Sequence, residues 1–127
     1  MVIQIEESLL FIILVFVFVF LITLEFFVLE LVIFELKDGV SREQFLSTDG
    51  AATAWLSQQP GFVSHELLYD AEADRWVELA WWKTMNDAQR AAEQAMTSES
   101  CAPMFALIDI DSSLMLHAEP AIPKVHA

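Results

Sequence analysis

His65 is the side chain of this sequence best suited to acid–base chemistry. It stands in the segment Ser64-His65-Glu66, where strand alternation places it on one face with Leu67 and Tyr69. Imidazole titrates near neutral pH, so His65 is a candidate general base that faces a pocket. The alternative is a half-buried sheet histidine that hydrogen-bonds its neighbours, because the sequence fixes no orienting carboxylate beside it.

His117 precedes Glu119 by two residues, a spacing that puts both side chains on one face of a strand. Two such groups could begin a metal site, but the sequence offers no third ligand, which favours an edge histidine at the domain surface. Cys101 is the single cysteine and lacks CxxC or Cys/His ligand spacing. We therefore expect no metal, no cofactor and no disulfide, with Cys101 as an inert thiol.

Four tryptophans could form the floor of a pocket for an aromatic ligand. Aromatic side chains more often fill cores and interfaces, so the alternative for each is a packing role. They are Trp55, Trp76, Trp81 and Trp82.

The charge of the chain limits the classes of partner. Its 127 residues include 19 acidic and 6 basic side chains, a formal charge of -13, yet 56% of the residues are hydrophobic. This composition excludes a disordered acidic tail and allows one folded domain. Nucleic acid is not an expected partner, because phosphate binding needs clustered cations.

The N-terminal segment is apolar without interruption. From Leu9 to Leu24 the sequence is LLFIILVFVFVFLITL. Continued to Leu29, a helix would have a length of about 31 Å, close to the thickness of a hydrocarbon core, with Glu25 near one end. This pattern predicts a signal anchor that contacts the membrane through residues 8–29.

The flanking charges suggest an orientation for such an anchor. Lys37 and Arg42 follow the segment and no basic residue precedes it, which places the following domain in the cytoplasm, anchored in the cytoplasmic membrane. The alternative is a misassigned start, with the native protein beginning near Val28 or Leu29. The VFVFVF repeat also has β rather than helical propensity.

The remaining sequence predicts alternating strands and helices. Apolar runs predict strands at 28–36, 62–69, 76–83 and 108–118, the middle two joined by a polar loop of hairpin length. A helix opens at Ser41 and ends by Gln59, before Pro60. A second helix spans 85–96 with Thr84 as its cap, and 98–107 is short helical or irregular.

The order β-α-β-β-α-β predicts an α+β fold of the ferredoxin-like class with an antiparallel sheet. Strand 76–83 is apolar on both faces, because Trp76, Ala80 and Trp82 alternate with other apolar side chains. The second face therefore needs a cover, which predicts a homodimer with sheets face to face. We divide the chain into a hydrophobic N-terminal segment (1–27), a ferredoxin-fold domain (28–120) and a C-terminal tail (121–127).

Three short motifs carry a family resemblance over roughly residues 29–119. They are Gln59-Pro60-Gly61-Phe62, Trp81-Trp82-Lys83-Thr84 and Asn86-Asp87-Ala88. In their order and spacing they resemble the antibiotic biosynthesis monooxygenase-like proteins of the dimeric α/β-barrel superfamily. The resemblance implies a dimeric α/β barrel and a cofactor-independent monooxygenase that oxidises a small aromatic or quinol-type metabolite.

The resemblance also implies site residues. Trp82 matches the family tryptophan. Together with the analysis of His65 given above, this leads us to expect His65 and Trp82 in catalytic roles and Trp81, Trp82 and Tyr69 in substrate binding. The Asn and Arg that the oxidising branch of the family uses are not matched, because the first two strands contain no Asn and Arg90 lies on the second helix. The histidine that binds haem in the haem-degrading branch is also missing, since residues 83–116 contain none. The alternative function is a non-catalytic dimeric ligand-binding or accessory module of the same fold.

Overall fold

The computed structural model describes residues 6–23 and 27–127. Within these ranges the helices are α1 (Glu7–Thr23), α2 (Arg42–Leu46), α3 (Asp49–Ser57), α4 (Met85–Ala95) and α5 (Ala102–Phe105). The strands are β1 (Val28–Leu36), β2 (Phe62–Asp70), β3 (Arg75–Trp82) and β4 (Ile108–Ala118).

The four strands form one sheet in the order β2-β3-β1-β4, and every neighbouring pair is antiparallel. Placing the first strand between the third and fourth is the arrangement of the split β-α-β unit, so the ferredoxin-like prediction is confirmed. Across the described parts of a single chain the sheet stays open and closes no barrel.

The inner face of the sheet carries the core beneath the helices. One cluster packs around Phe34, Phe45 and Trp76, and the second packs Trp82 against Ala88 and Ala91 of α4. Alanine side chains let the α4 backbone approach the sheet closely, which leaves the Trp82 ring fully buried.

The outer face is apolar as well and faces away from the helices. Its side chains alternate with the inner ones along each strand. We call the following residues the outer apolar face: Leu29, Leu31, Ile33, Leu68, Val77, Leu79, Trp81, Leu114 and Leu116.

A β-bulge interrupts the pairing of β1 with β4 between Ile33 and Glu35. The Glu35 amide donates instead to the hydroxyl of Ser112, at 3.0 Å. After this irregularity β4 resumes regular pairing, with His117 opposite Glu30 and Leu116 opposite Leu31. The bulge therefore sets which side chains of the last part of β4 point inward.

The single helix predicted between Ser41 and Gln59 is wrong in one respect, because the structure divides it into α2 and α3. At the junction the Ser47 and Thr48 hydroxyls each donate at 2.6 Å to the carbonyl three residues earlier. Such side-chain bonds compete with helix continuation. The predicted caps are confirmed: Ser41 accepts from the Gln44 amide and Thr84 accepts from the Asp87 amide.

The predicted helix through Leu29 is also wrong. Helix α1 includes the VFVFVF repeat but ends at Thr23, and Val28 and Leu29 pair with Trp82 and Trp81 in the sheet. The position expected for Glu25 lies outside the described residues. No helix in ranges 6–23 and 27–127 combines the length and the apolar character needed to cross a membrane.

The motifs that carry the family resemblance meet at one corner of the fold. The Phe62 and Trp82 rings pack edge to face with centroids 5.8 Å apart, and the Lys83 amide donates to the Gly61 carbonyl at 2.8 Å. Gly61 has a φ of +81°, and a Cβ at this position would overlap the carboxyl group of Asp87. Glycine is therefore required twice, by conformation and by space.

This corner predicts a large difference between two glycine substitutions. Gly61→Ala should lower the free energy of unfolding by more than about 2 kcal/mol, because strain and overlap add. Gly39→Ala is the matched control, since Gly39 has a φ of +82° but open space around it, and should lose only about 1 kcal/mol. Urea denaturation of both variants measures the difference, and equal losses would contradict the close contact with Asp87.

Candidate active site

A cavity of about 150 Å³ lies between the inner face of the sheet and helices α3, α4 and α5. Most of its lining is apolar, including Trp55, Leu56 and Met104. The ionisable side chains that line it are Glu30, Asp49, His65 and Glu78, with Cys101 in its wall. An apolar cavity with a few convergent polar groups is the usual form of a small-molecule site.

His65 and Glu78 lie on neighbouring strands β2 and β3. The His65 Nε2 atom is 3.7 Å from Oε1 of Glu78, and the two side chains are 11% and 22% exposed. Burial lowers the pKa of His65, opposed by the negative charge of Asp49. Imidazole is therefore favoured in its neutral form, in which one ring nitrogen can accept a proton.

Glu78 is the most strongly perturbed acid in the cavity. Burial, and then the negative charges of Glu30 and Asp49, raise its pKa to about 7. Near neutral pH the carboxyl group therefore exchanges a proton readily, the condition that general acid–base catalysis requires. His65 and Glu78 together can remove a proton from a hydroxyl group that enters the cavity.

Glu30 and His117 form a second pair on the same face. The His117 Nε2 atom is 2.7 Å from Oε2 of Glu30, which is 5% exposed. Burial raises the pKa of Glu30, and the hydrogen bond and charge of His117 oppose that rise. His117 thus contacts Glu30 on β1 instead of pairing with Glu119, which follows β4 and is exposed.

The structure separates the residues predicted for the site. His65 lines the cavity, whereas Trp82 is not among the cavity-lining side chains and lies fully buried under α4. Trp81 belongs to the outer apolar face and is 37% exposed. Tyr69 packs against Trp76 near the C-terminal end of β2, and its hydroxyl donates to Asp74 at 2.6 Å.

Trp82 has one unusual polar feature. Its indole Nε1 is buried and has no hydrogen-bond partner within the described part of the chain. Its ring instead contacts Phe62 and the alanines of α4. The position of Trp82 therefore accounts for packing at the motif corner, and its predicted contact with substrate stays a prediction.

The acidic members of the site were missed by sequence reasoning. Glu30 and Glu78 interrupt the apolar runs VLELVIFEL and RWVELAWW. Strand alternation places both on the same face as the core residues of their strands. A charged residue at an inward position is a signal, because burial of an unpaired charge is costly. Metal binding is not indicated: no group of three or more His, Cys, Asp or Glu in ranges 6–23 and 27–127 is arranged to hold an ion.

Comparison with known proteins supports the fold. The sequence matches no protein-family model and no curated protein. Among solved structures, it is similar to SnoaB, a cofactor-independent oxygenase from Streptomyces nogalater, with 24% identity and a TM-score of 0.58. That match covers 79% of this chain and 96% of SnoaB. The chain shares the fold of antibiotic biosynthesis monooxygenases.

Two further structures show the same similarity. A Bordetella bronchiseptica protein named as an antibiotic biosynthesis monooxygenase has 15% identity and a TM-score of 0.65, covering 76% of this chain and 99% of its own. A dimeric ferredoxin-like protein from Thermobifida fusca has 10% identity and a TM-score of 0.59. That match covers 75% of this chain and 92% of the Thermobifida fusca protein. All three matches bear out the ferredoxin-like fold predicted from the sequence.

The raised pKa of Glu78 predicts how stability depends on pH. Its ordinary value is 4.5 and its folded value about 7, so between these values the folded state binds the proton more tightly than the unfolded chain. The free energy of unfolding therefore falls as the pH rises through this window. Glu78→Gln should flatten this slope and should raise the free energy of unfolding at pH 8 above that of the wild type by about 1–3 kcal/mol.

Urea denaturation at pH 5 and pH 8 measures this effect. Glu93→Gln is the matched control, because Glu93 follows the cavity-lining residue Ala92 on α4 but is exposed. The control should keep the wild-type slope. A Glu78→Gln protein with the wild-type slope would show that Glu78 titrates normally in the folded state.

Proposed function

We propose that the protein is a cofactor-independent monooxygenase that oxidises a small aromatic or quinol-type molecule in the cavity over His65 and Glu78. The observation that carries this proposal is an acid–base pair in an apolar cavity, within a fold shared with a named cofactor-independent oxygenase. No cation lines the cavity among the described residues, which favours a neutral substrate.

The size of the cavity favours a compact ring. A volume of about 150 Å³ is of the order that accommodates a single benzene-sized ring. Trp55, Leu56 and Met104 would contact the ring faces and exclude water, which strengthens electrostatic interactions within the site. A phenolic hydroxyl would point to the His65 and Glu78 end, where proton acceptors lie.

The proposed chemistry begins with removal of the phenolic proton by His65, with Glu78 as the neighbouring acid–base group. The resulting electron-rich ring donates electrons to O₂. At the ring carbon para to the phenolic oxygen, which is a CH₂ group in the keto tautomer, the overall change is CH₂ + O₂ → C=O + H₂O. The phenol becomes a quinone, one oxygen atom enters the product and the other leaves as water. The substrate supplies all the electrons, and no external reductant is needed.

Replacing His65 tests this assignment. His65→Gln keeps hydrogen bonding but cannot take up a proton near neutral pH, so turnover should fall about 100-fold with little change in affinity. Oxygen uptake with a panel of single-ring phenols and hydroquinones measures turnover, and larger anthrone-like phenols test the size limit that the cavity sets. Quenching of tryptophan fluorescence measures binding, because Trp55 lines the cavity.

His126→Gln is the matched control, since His126 is exposed in the C-terminal tail, and it should behave like the wild type. Quenching by a ring compound without oxygen uptake would instead support the alternative function, a non-catalytic ligand-binding module. If no compound quenches fluorescence and His65→Gln only lowers the melting temperature, His65 is structural and the proposal fails.

We also propose a homodimer in which two copies bury the outer apolar face against each other. Leu68, Leu114 and Leu116 of this face are 43%, 52% and 51% exposed in the single chain. A contiguous apolar patch on a sheet is typical of an interaction surface. The dimeric Thermobifida fusca protein of the same fold supports the formation of a dimer.

A charge in the outer apolar face should disrupt the dimer. Leu116→Glu places a carboxylate within the proposed interface and should raise the dimer dissociation constant at least about tenfold. Leu46→Glu is the control, because Leu46 is similarly exposed, at 45%, but lies on α2. Sedimentation velocity of the full chain distinguishes the two, and a monomeric wild type would refute the interface.

A further inference from the structure

Two carboxyl groups face the cavity from neighbouring central strands, and the proposed reaction uses only one of them. Glu30 on β1 is opposite Ala80 of β3, and Glu78 of β3 is opposite Val32 of β1. Their side chains are therefore diagonal neighbours on the inner face, where both line the cavity. Two ionised carboxylates at diagonal positions in an apolar site repel each other.

The two carboxyl groups differ in their partners. Glu30 has a histidine nitrogen at 2.7 Å, within hydrogen-bond distance. The nearest histidine nitrogen to Glu78, on His65, is 3.7 Å away, which is beyond hydrogen-bond distance. A short bond to histidine stabilises a carboxylate far better than a distant contact does, so the pair is electrostatically unequal.

We propose that His117 assigns the charge within this carboxyl pair: it holds Glu30 as the anion and thereby leaves Glu78 as the group that carries the exchangeable proton of the site. His117 and Glu30 are positioning residues in this account, because they act through Glu78. The inference rests on the proposed function only in placing the chemistry at this cavity.

The other groups around Glu78 also favour its protonated form or leave it undisturbed. Asp49 of α3 adds negative charge, and the Cys101 thiol before α5 is held neutral because burial raises its pKa. His65 of β2 is held neutral by burial. Helix α4 contributes the apolar side chains Ala91, Ala92 and Ala95 to the lining, and Met96 joins them at its C-cap.

A purely structural role for the pair makes a different prediction. If the Glu30 and His117 contact only fastens β4 to β1, its removal lowers stability but leaves the proton on Glu78 undisturbed. If the pair assigns the charge, removal changes the pH at which Glu78 titrates. The two roles are separated by a direct titration of the Glu78 carboxyl group.

Infrared spectroscopy of the full chain provides that titration, because a protonated carboxylic acid has its own C=O stretching band. Glu78→Gln identifies the band that belongs to Glu78. Glu30→Gln keeps the volume and can still hydrogen-bond His117, but removes the negative charge. We expect the midpoint of the Glu78 band to fall by about one pH unit in Glu30→Gln.

His117→Asn is the second variant. Without the imidazole, Glu30 should hold a proton itself, so a second carboxylic acid band should appear and the Glu78 midpoint should again fall. Glu119→Gln is the control, since Glu119 lies two residues further along and is exposed. It should leave the Glu78 band unchanged and should show no second band.

An unchanged Glu78 midpoint in a folded Glu30→Gln protein would overturn the proposal. Melting curves establish folding, and Glu30→Gln decides the question if the His117 variant does not fold. The infrared measurement needs no substrate. A shifted midpoint without oxygen uptake would therefore refute the oxygenase function alone, and oxygen uptake with an unshifted midpoint would refute this inference alone.

Discussion

The close approach of α4 to the sheet is the contact on which the rest of the structure depends. Ala88 and Ala91 bring the helix down onto Trp82, and Gly61 leaves room for the first turn of that helix. The cavity touches members of both core clusters, so it lies between them.

Polar groups on the inner face are tolerated because they reach this space or one another. Glu30 is buried but bonded to His117, and Glu78 faces the cavity beside His65. Elsewhere the inner face carries side chains such as Phe34 that need no partner. Burial thus raises the pKa of both acids and brings that of Glu78 to about 7, where its carboxyl group can exchange a proton near neutral pH.

Much of the fold could be predicted from local sequence signals. The ranges predicted for the first and last strands coincide with β1 and β4, and Thr84 caps α4 as expected. The break between α2 and α3 could not be predicted, because it depends on the Ser47 and Thr48 hydroxyls donating to backbone carbonyls. The Glu30 and His117 contact joins residues 87 positions apart, and only the β1 and β4 register brings them together.

The bulge between β1 and β4 has a consequence for how this gene can change. Beyond it, Leu116 points outward and His117 inward on consecutive residues. Substitutions can alter either face separately, but inserting or deleting one codon before this segment would exchange the two faces at once. An insertion would place Leu116 opposite Glu30 and a deletion would place Ala118 there, and neither can replace His117. Length variation should therefore be excluded from residues 113–118 even where sequence variation is tolerated.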